Sequence, residues 1–169
     1  MKDNFEQCFQ LVLKSEGGYV WDKSDPGGET NRGVTRAAWS EYLKRPIQDG
    51  EMAKLTVNDI RPFYKQMYWN VCNCEGLPKG VDYEIFDFAV NAGCTESIRC
   101  LQKALGTEPD GVLGPITLTL ISQQDPKELI AKFTDIKTSF YKGLKLFPIY
   151  GKGWLERVAE VKTIAEDMA

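Results

Sequence analysis

The chain has 169 residues, enough for one compact domain or two lobes sharing a core, and 43% of them are hydrophobic. A net charge of −3 and a pI near 5.1 argue against a nucleic-acid binder or a polybasic membrane protein. There is no histidine, which excludes Ser-His-Asp and Cys-His catalysis and His-containing zinc sites.

The N-terminus, MKDNFEQC, has no signal-peptide pattern, and the apolar stretch behind it is too short to span a bilayer. The expectation is a protein held in the cytoplasm until it is released to the periplasm and cell wall. From Asn4 the pattern is helical. Phe5, Phe9, Val12 and Glu16 fall at offsets of four, three and four, so they share one face, which Cys8 and Leu13 widen. Glu16 thus continues an apolar stripe, and Gly17-Gly18 stop the helix. Apolar neighbours, the negative end of the helix dipole and any second carboxylate nearby all disfavour its charged form. A carboxyl that keeps its proton near neutral pH is what a general acid requires.

The segment behind it is rich in turn and polar residues, with Gly at 17, 18, 27, 28 and 33. Asp25 lies nine positions after Glu16, beside Pro26-Gly27-Gly28, a sequence suited to a tight reversal or short hairpin. Such a reversal carries Asp25 back over the helix end. Thr30 and Asn31 add short polar side chains able to position a water or a sugar hydroxyl.

The string EGGYVWDKSDPGGETNRGVT closely resembles the signature of the glycoside hydrolase family 108 muramidases, phage endolysins and related bacterial proteins that cleave peptidoglycan strands. The resemblance implies a mainly α, lysozyme-like fold: a helical bundle with a small hairpin or loop region after the first helix. It implies Glu16 as the catalytic acid. The Glu-then-Asp spacing is also similar to the broader phage-type lysozymes, with Asp25 as base or electrostatic support. Thr30 follows Asp25 by five positions where that pattern usually has six. A holin is the partner implied for passage through the inner membrane.

Thr35 to Arg45 is predicted as a second helix, with Thr35 as N-cap, Ala38, Trp39, Tyr42 and Leu43 on its apolar face, and Pro46 ending it. Thr56 to about Val71 is predicted as a longer helix with Pro62 in its early turns. Its end carries Tyr68 and Trp69. With Tyr19 these are candidates to line a sugar subsite with flat aromatic faces, though plain core packing is the weightier reading for Trp69. After a loop from Asn73 to Gly80, VDYEIFDFAVNAG reads as a central buried helix. Its Asp87 and Asn91 are either satisfied polar groups or cleft residues, and the DFAVNAG string resembles a family motif that raises Asn91 as a substrate contact.

Helices are predicted from Thr95 to Leu105, from Pro115 to Ile121, and from Asp125 onward through Leu144, where Asp125-Pro126-Lys127-Glu128 supplies N-cap, Pro at N1 and Glu at N3. A loop with Pro148, Gly151 and Gly153 is expected before the last helix, whose Trp154, Val158, Val161, Ala165 and Met168 share a face. That helix is net acidic, so docking onto the core explains it better than membrane disruption. The expected division is 1–75, a lysozyme-like catalytic lobe, and 76–169, which resembles the family's helical peptidoglycan domain, the two packed closely.

The five cysteines, Cys8, Cys72, Cys74, Cys94 and Cys100, do not have a standard zinc spacing, and small buried thiols are the better account. No metal or organic cofactor is expected. The reaction expected is hydrolysis of the β-1,4 bond between N-acetylmuramic acid and N-acetylglucosamine, by a monomer with no nucleic-acid partner and no stable membrane insertion. A lytic transglycosylase and a non-catalytic wall-binding or secretion-assisting module are the alternatives.

Overall fold

The computed structural model describes residues 4–24 and 28–169. The chain is mainly helical, with a small antiparallel sheet directly after the first helix. It divides into two compact units, Phe5–Met67 and Tyr68–Ala169, with Asn4 grouped with the second. The division falls eight residues before the expected boundary at 75, inside a π-helical turn, Lys65–Trp69.

The first unit begins with α1 (Phe5–Ser15), which buries Phe5, Cys8, Phe9 and Val12, the stripe the spacing predicts. Three short strands follow: β1 (Tyr19–Trp21), β2 (Glu29–Asn31) and β3 (Val34–Thr35), paired antiparallel in that order. The β2–β3 turn has two central residues, Arg32 and Gly33, at φ of 51° and 80°. Positive φ at both positions suits the tight hairpins whose twist matches the strands. Next comes α2 (Arg36–Leu43), capped by Thr35, whose hydroxyl accepts from the Ala38 amide at 3.1 Å. Its end is Lys44, in the left-handed region at φ 57°.

After a 3₁₀ turn, Met52–Lys54, α3 (Val57–Tyr64) starts with a full capping box between Thr56 and Asp59. Pro62 lies inside α3, and its missing N–H removes one hydrogen bond of the helix. The single helix expected from Thr56 to Val71 ends at Tyr64 and gives way to the π-helical turn. Aromatic rings tie the unit together: Phe5 stacks on Phe9, Phe9 meets Tyr64, and Phe63 is edge-on to Tyr64, Trp39 and Tyr42.

The second unit is built around α4 (Val81–Ala92), buried on every side from Val81 to Ala89. Three of those residues are acids, and each is satisfied. Asp82 accepts from Asn4 Nδ2 (3.0 Å) and from the amides of Gly80 and Tyr83. Glu84 meets Lys137 and accepts from the Thr134 hydroxyl. Asp87 accepts from Arg157 at 2.8 Å. Buried carboxylates without such partners cost several kcal/mol each (about 3–5 on losing a partner). Around α4 pack α5 (Cys94–Leu105), α7 (Pro126–Lys142) and α8 (Phe147–Met168), while α6 (Pro115–Ser122) packs on α5. Asp125 caps α7 by accepting from the amides of Lys127 and Glu128, as its sequence predicts.

The last helix is longer than expected. It starts at Phe147 and runs through Pro148, Gly151 and Gly153, where a loop is predicted. Pro148 sits in the first turn, where its missing N–H costs nothing. Gly151 is buried because the Phe147 ring lies over it: a Cβ there would meet ring carbons at 2.6 Å. The glycine marks close packing within a helix rather than a break.

All five cysteines are free thiols, four of them buried. Cys72 hydrogen-bonds with Cys74 and Cys94. Among the described residues no group of three or more His, Cys, Asp or Glu side chains is placed to hold a metal ion. No helix among them is long and apolar enough to cross a membrane.

Candidate active site

Glu16 lies one residue past α1, half-buried, with its amide bonded to the Leu13 carbonyl at 3.1 Å. The helix end directs the carboxyl at the β2–β3 turn. A Cβ built on Gly33 would lie 2.7 Å from Glu16 Oε2, 2.9 Å from its Cδ and 2.5 Å from the Tyr64 hydroxyl. Carboxyl and phenol therefore crowd the same glycine. Tyr64 Oη donates to the Arg32 carbonyl at 2.8 Å, which pins the turn to α3. Three elements thus converge on one carboxyl: the end of α1, the end of α3 and the hairpin turn.

Thr30 is the middle residue of β2, half-buried, paired with Val20 on one side and Thr35 on the other. Asp25 lies outside the described residues. Tyr19, in β1, is 40% exposed, and its hydroxyl donates to Glu29 Oε1 at 2.7 Å. That bond holds the proton on the phenol and raises its pKa. Asn31 is buried, and its amide donates to the Met52 carbonyl at 2.8 Å. It ties the sheet to the 3₁₀ turn, so one of its two N–H groups is committed to the scaffold.

Glu29, in β2, is buried. It accepts from Tyr19 and, at 2.5 Å, from Arg36, whose other Nη donates to the Ile47 carbonyl and Asp49. A carboxylate already filled by two donors is an anchor between β2 and α2. Beside it opens a 470 Å³ cleft lined by Gly28, Glu29, Arg36, Ala37, Ser40, Pro46 and Ile47.

Among the remaining candidates, Tyr68 is half-buried in the π-helical turn. Trp69 is 1% exposed, donates to Glu75 at 3.3 Å and meets Phe86 edge-on, as a core residue of its unit does. Asn91 is exposed at the end of α4, and its amide donates to the Asp87 carbonyl. It opens on a 310 Å³ pocket shared with Ala92, Phe140, Tyr141, Leu144, Trp154 and Arg157.

Three residues at the first unit's site escape a reading of the sequence. Gly33 and Tyr64 matter through a close approach that spacing does not reveal. Trp21 did carry a signal: it sits two positions from Tyr19, on the same face of β1, and is 55% exposed with Lys23 Nζ 5.1 Å from its ring centre.

A mainly helical chain with a small antiparallel hairpin directly after its first helix has a lysozyme-like fold. The family model of glycosyl hydrolase 108 matches residues 9–93, which take in Glu16, the whole sheet and α4, and the chain belongs to that family. The structure of SagA from Brucella abortus is similar over 99% of this chain and 97% of its own, at 35% identity and a TM-score of 0.90. No curated protein matches the chain.

Proposed function

We propose that the chain is an N-acetylmuramidase that hydrolyses the β-1,4 bond between N-acetylmuramic acid and N-acetylglucosamine in peptidoglycan. The observation that carries this reading is the Glu16 carboxyl set closely against Gly33, the glycine that the Tyr64 hydroxyl also approaches. An acid fixed by three elements of the scaffold loses little entropy when it meets the glycosidic oxygen. Glu16 protonates the leaving oxygen; Asp25 supports the oxocarbenium-like state or activates water; Thr30 helps hold that water. Tyr19 and Trp21, exposed on β1, offer flat faces to a pyranose ring. Asn31, Tyr68 and Asn91 are secondary candidates for substrate contact, whereas Trp69, buried in the core of its unit, is not, and the second unit is proposed as the part that holds the wall.

In this reading the protein is an endolysin that waits in the cytoplasm and reaches the wall through a holin lesion. The test is digestion of purified sacculi with mass spectrometry of the products. Reducing-end muramic acid is expected. A 1,6-anhydro end would assign a lytic transglycosylase instead, and binding without released sugar would assign a non-catalytic module.

A further inference from the structure

From Ile136 to Leu155 the chain contains no acid, although its net charge is −3. The segment includes the end of α7, the turn Gly143–Leu146 and the first turns of α8. Four apolar side chains project from it into solvent: Leu144 (37% exposed), Leu146 (52%), Ile149 (71%) and Tyr150 (53%). Lys142, Lys145 and Lys152 stand among them, all exposed, and none forms an ion pair among the described residues. The cations Lys137 and Arg157 nearby are spent on Glu84 and Asp87, so the three lysines set the charge of this surface.

The tip is rigid. Leu146, Ile149 and Tyr150 lie at offsets of three and four, and the amides of Ile149 and Tyr150 both bond to the Leu146 carbonyl at 3.0 Å. Behind them Trp154 packs against Tyr141, Tyr150 and Phe147. The Phe147 ring in turn rests on Gly151. Four exposed apolar side chains would be an aggregation liability on a surface with no partner. Interleaved with unpaired lysines and an interfacial tyrosine, they have the chemistry of a lipid headgroup boundary.

We propose that this tip docks on the surface of an anionic phospholipid bilayer. Leu146, Ile149 and Tyr150 enter the headgroup region, while Lys142, Lys145 and Lys152 meet lipid phosphates. The aliphatic character of Leu146 and Ile149 favours lipid over glycan, since sugar platforms are flat and aromatic. The docking is reversible and involves no spanning helix. It does not depend on the reaction proposed for Glu16.

The test is co-sedimentation of the full chain with vesicles of phosphatidylglycerol and phosphatidylethanolamine, with phosphatidylcholine vesicles and purified sacculi as comparisons. Binding to the anionic vesicles is expected, weakening as salt rises. Ile149→Glu should raise the half-saturating lipid concentration at least about tenfold, and Lys145→Gln or Lys152→Gln about fivefold each. These side chains are exposed, and circular dichroism checks that each variant is folded. No sedimentation of the parent with anionic vesicles, equal binding to phosphatidylcholine, or full binding by Ile149→Glu would overturn the proposal. So would loss of sacculus binding in these variants without any vesicle binding, which would assign the tip to the wall.

Discussion

Gly33 and Glu16 share a contact that no other residue at position 33 would allow. A Cβ at Gly33 would stand 2.7 Å from Glu16 Oε2, and the backbone there is at φ 80°. Gly33→Ala therefore meets two penalties: about 1–2 kcal/mol for an L-residue in the left-handed region, and displacement of the carboxyl. The variant should melt several degrees lower and lose most of its wall-hydrolysing activity. Thermal denaturation and a sacculus turbidity assay check both.

Tyr64 separates scaffold from acid. Its hydroxyl donates to the Arg32 carbonyl at 2.8 Å. Tyr64→Phe keeps the ring packed against Phe9 and Phe63 but leaves that carbonyl short of a donor, at a cost of about 1–3 kcal/mol. Activity should fall more than stability does, because the Arg32-Gly33 turn positions Glu16. A melt and a rate measured on the same preparation separate the two effects.

In the second unit, Glu84 and Lys137 are each 1% exposed and paired. Burial raises the Glu84 pKa, while Lys137 opposes the rise. Lys137→Met should cost about 3–5 kcal/mol at pH 7 by stranding the carboxylate. In that variant the folded-state pKa of Glu84 lies further above its unfolded value, so the folded state binds the extra proton. Its stability is then greatest below the unfolded value and is lost as pH rises through the folded one. Denaturant melts across pH should show the deficit shrinking toward acid. Adding Glu84→Leu should restore most of the loss.

The opposite sign holds for Glu51. Arg45 donates to both of its oxygens and the Gln48 amide adds a third bond. The Arg45 bonds are the main reason its pKa is lowered to about 2. A depressed carboxylate stabilises the fold above its unfolded value of 4.5, and that contribution is lost as pH falls toward 2. Arg45→Ala should lower stability at neutral and alkaline pH, with the difference from the parent closing as pH falls toward 2, as denaturant melts at several pH values followed by circular dichroism would show.

Much of this was legible in the residue order, because local rules and tertiary packing agree there. The stripe Phe5, Cys8, Phe9 and Val12, the caps at Thr35 and Asp125, and the buried helix around Ile85 and Phe88 all follow from spacing. Where long-range contacts decide, it was not. Gly151 reads as a loop residue, yet serves a ring four positions back. The π-helical turn after Tyr64 has no pattern of its own. Asn31 looks like a water-positioning amide, but one N–H is used on the Met52 carbonyl twenty-one positions away. Glu16 itself was visible as an acid on an apolar stripe; the glycine it crowds, and the phenol beside that glycine, were not.

The central claim rests on Glu16 as proton donor, and Glu16→Gln tests it most directly. The amide is nearly isosteric, so the variant should melt within a degree or two of the parent while its rate of glycan cleavage falls at least about a hundredfold. A folded Glu16→Gln protein that releases reducing ends within about threefold of the parent rate would contradict the account.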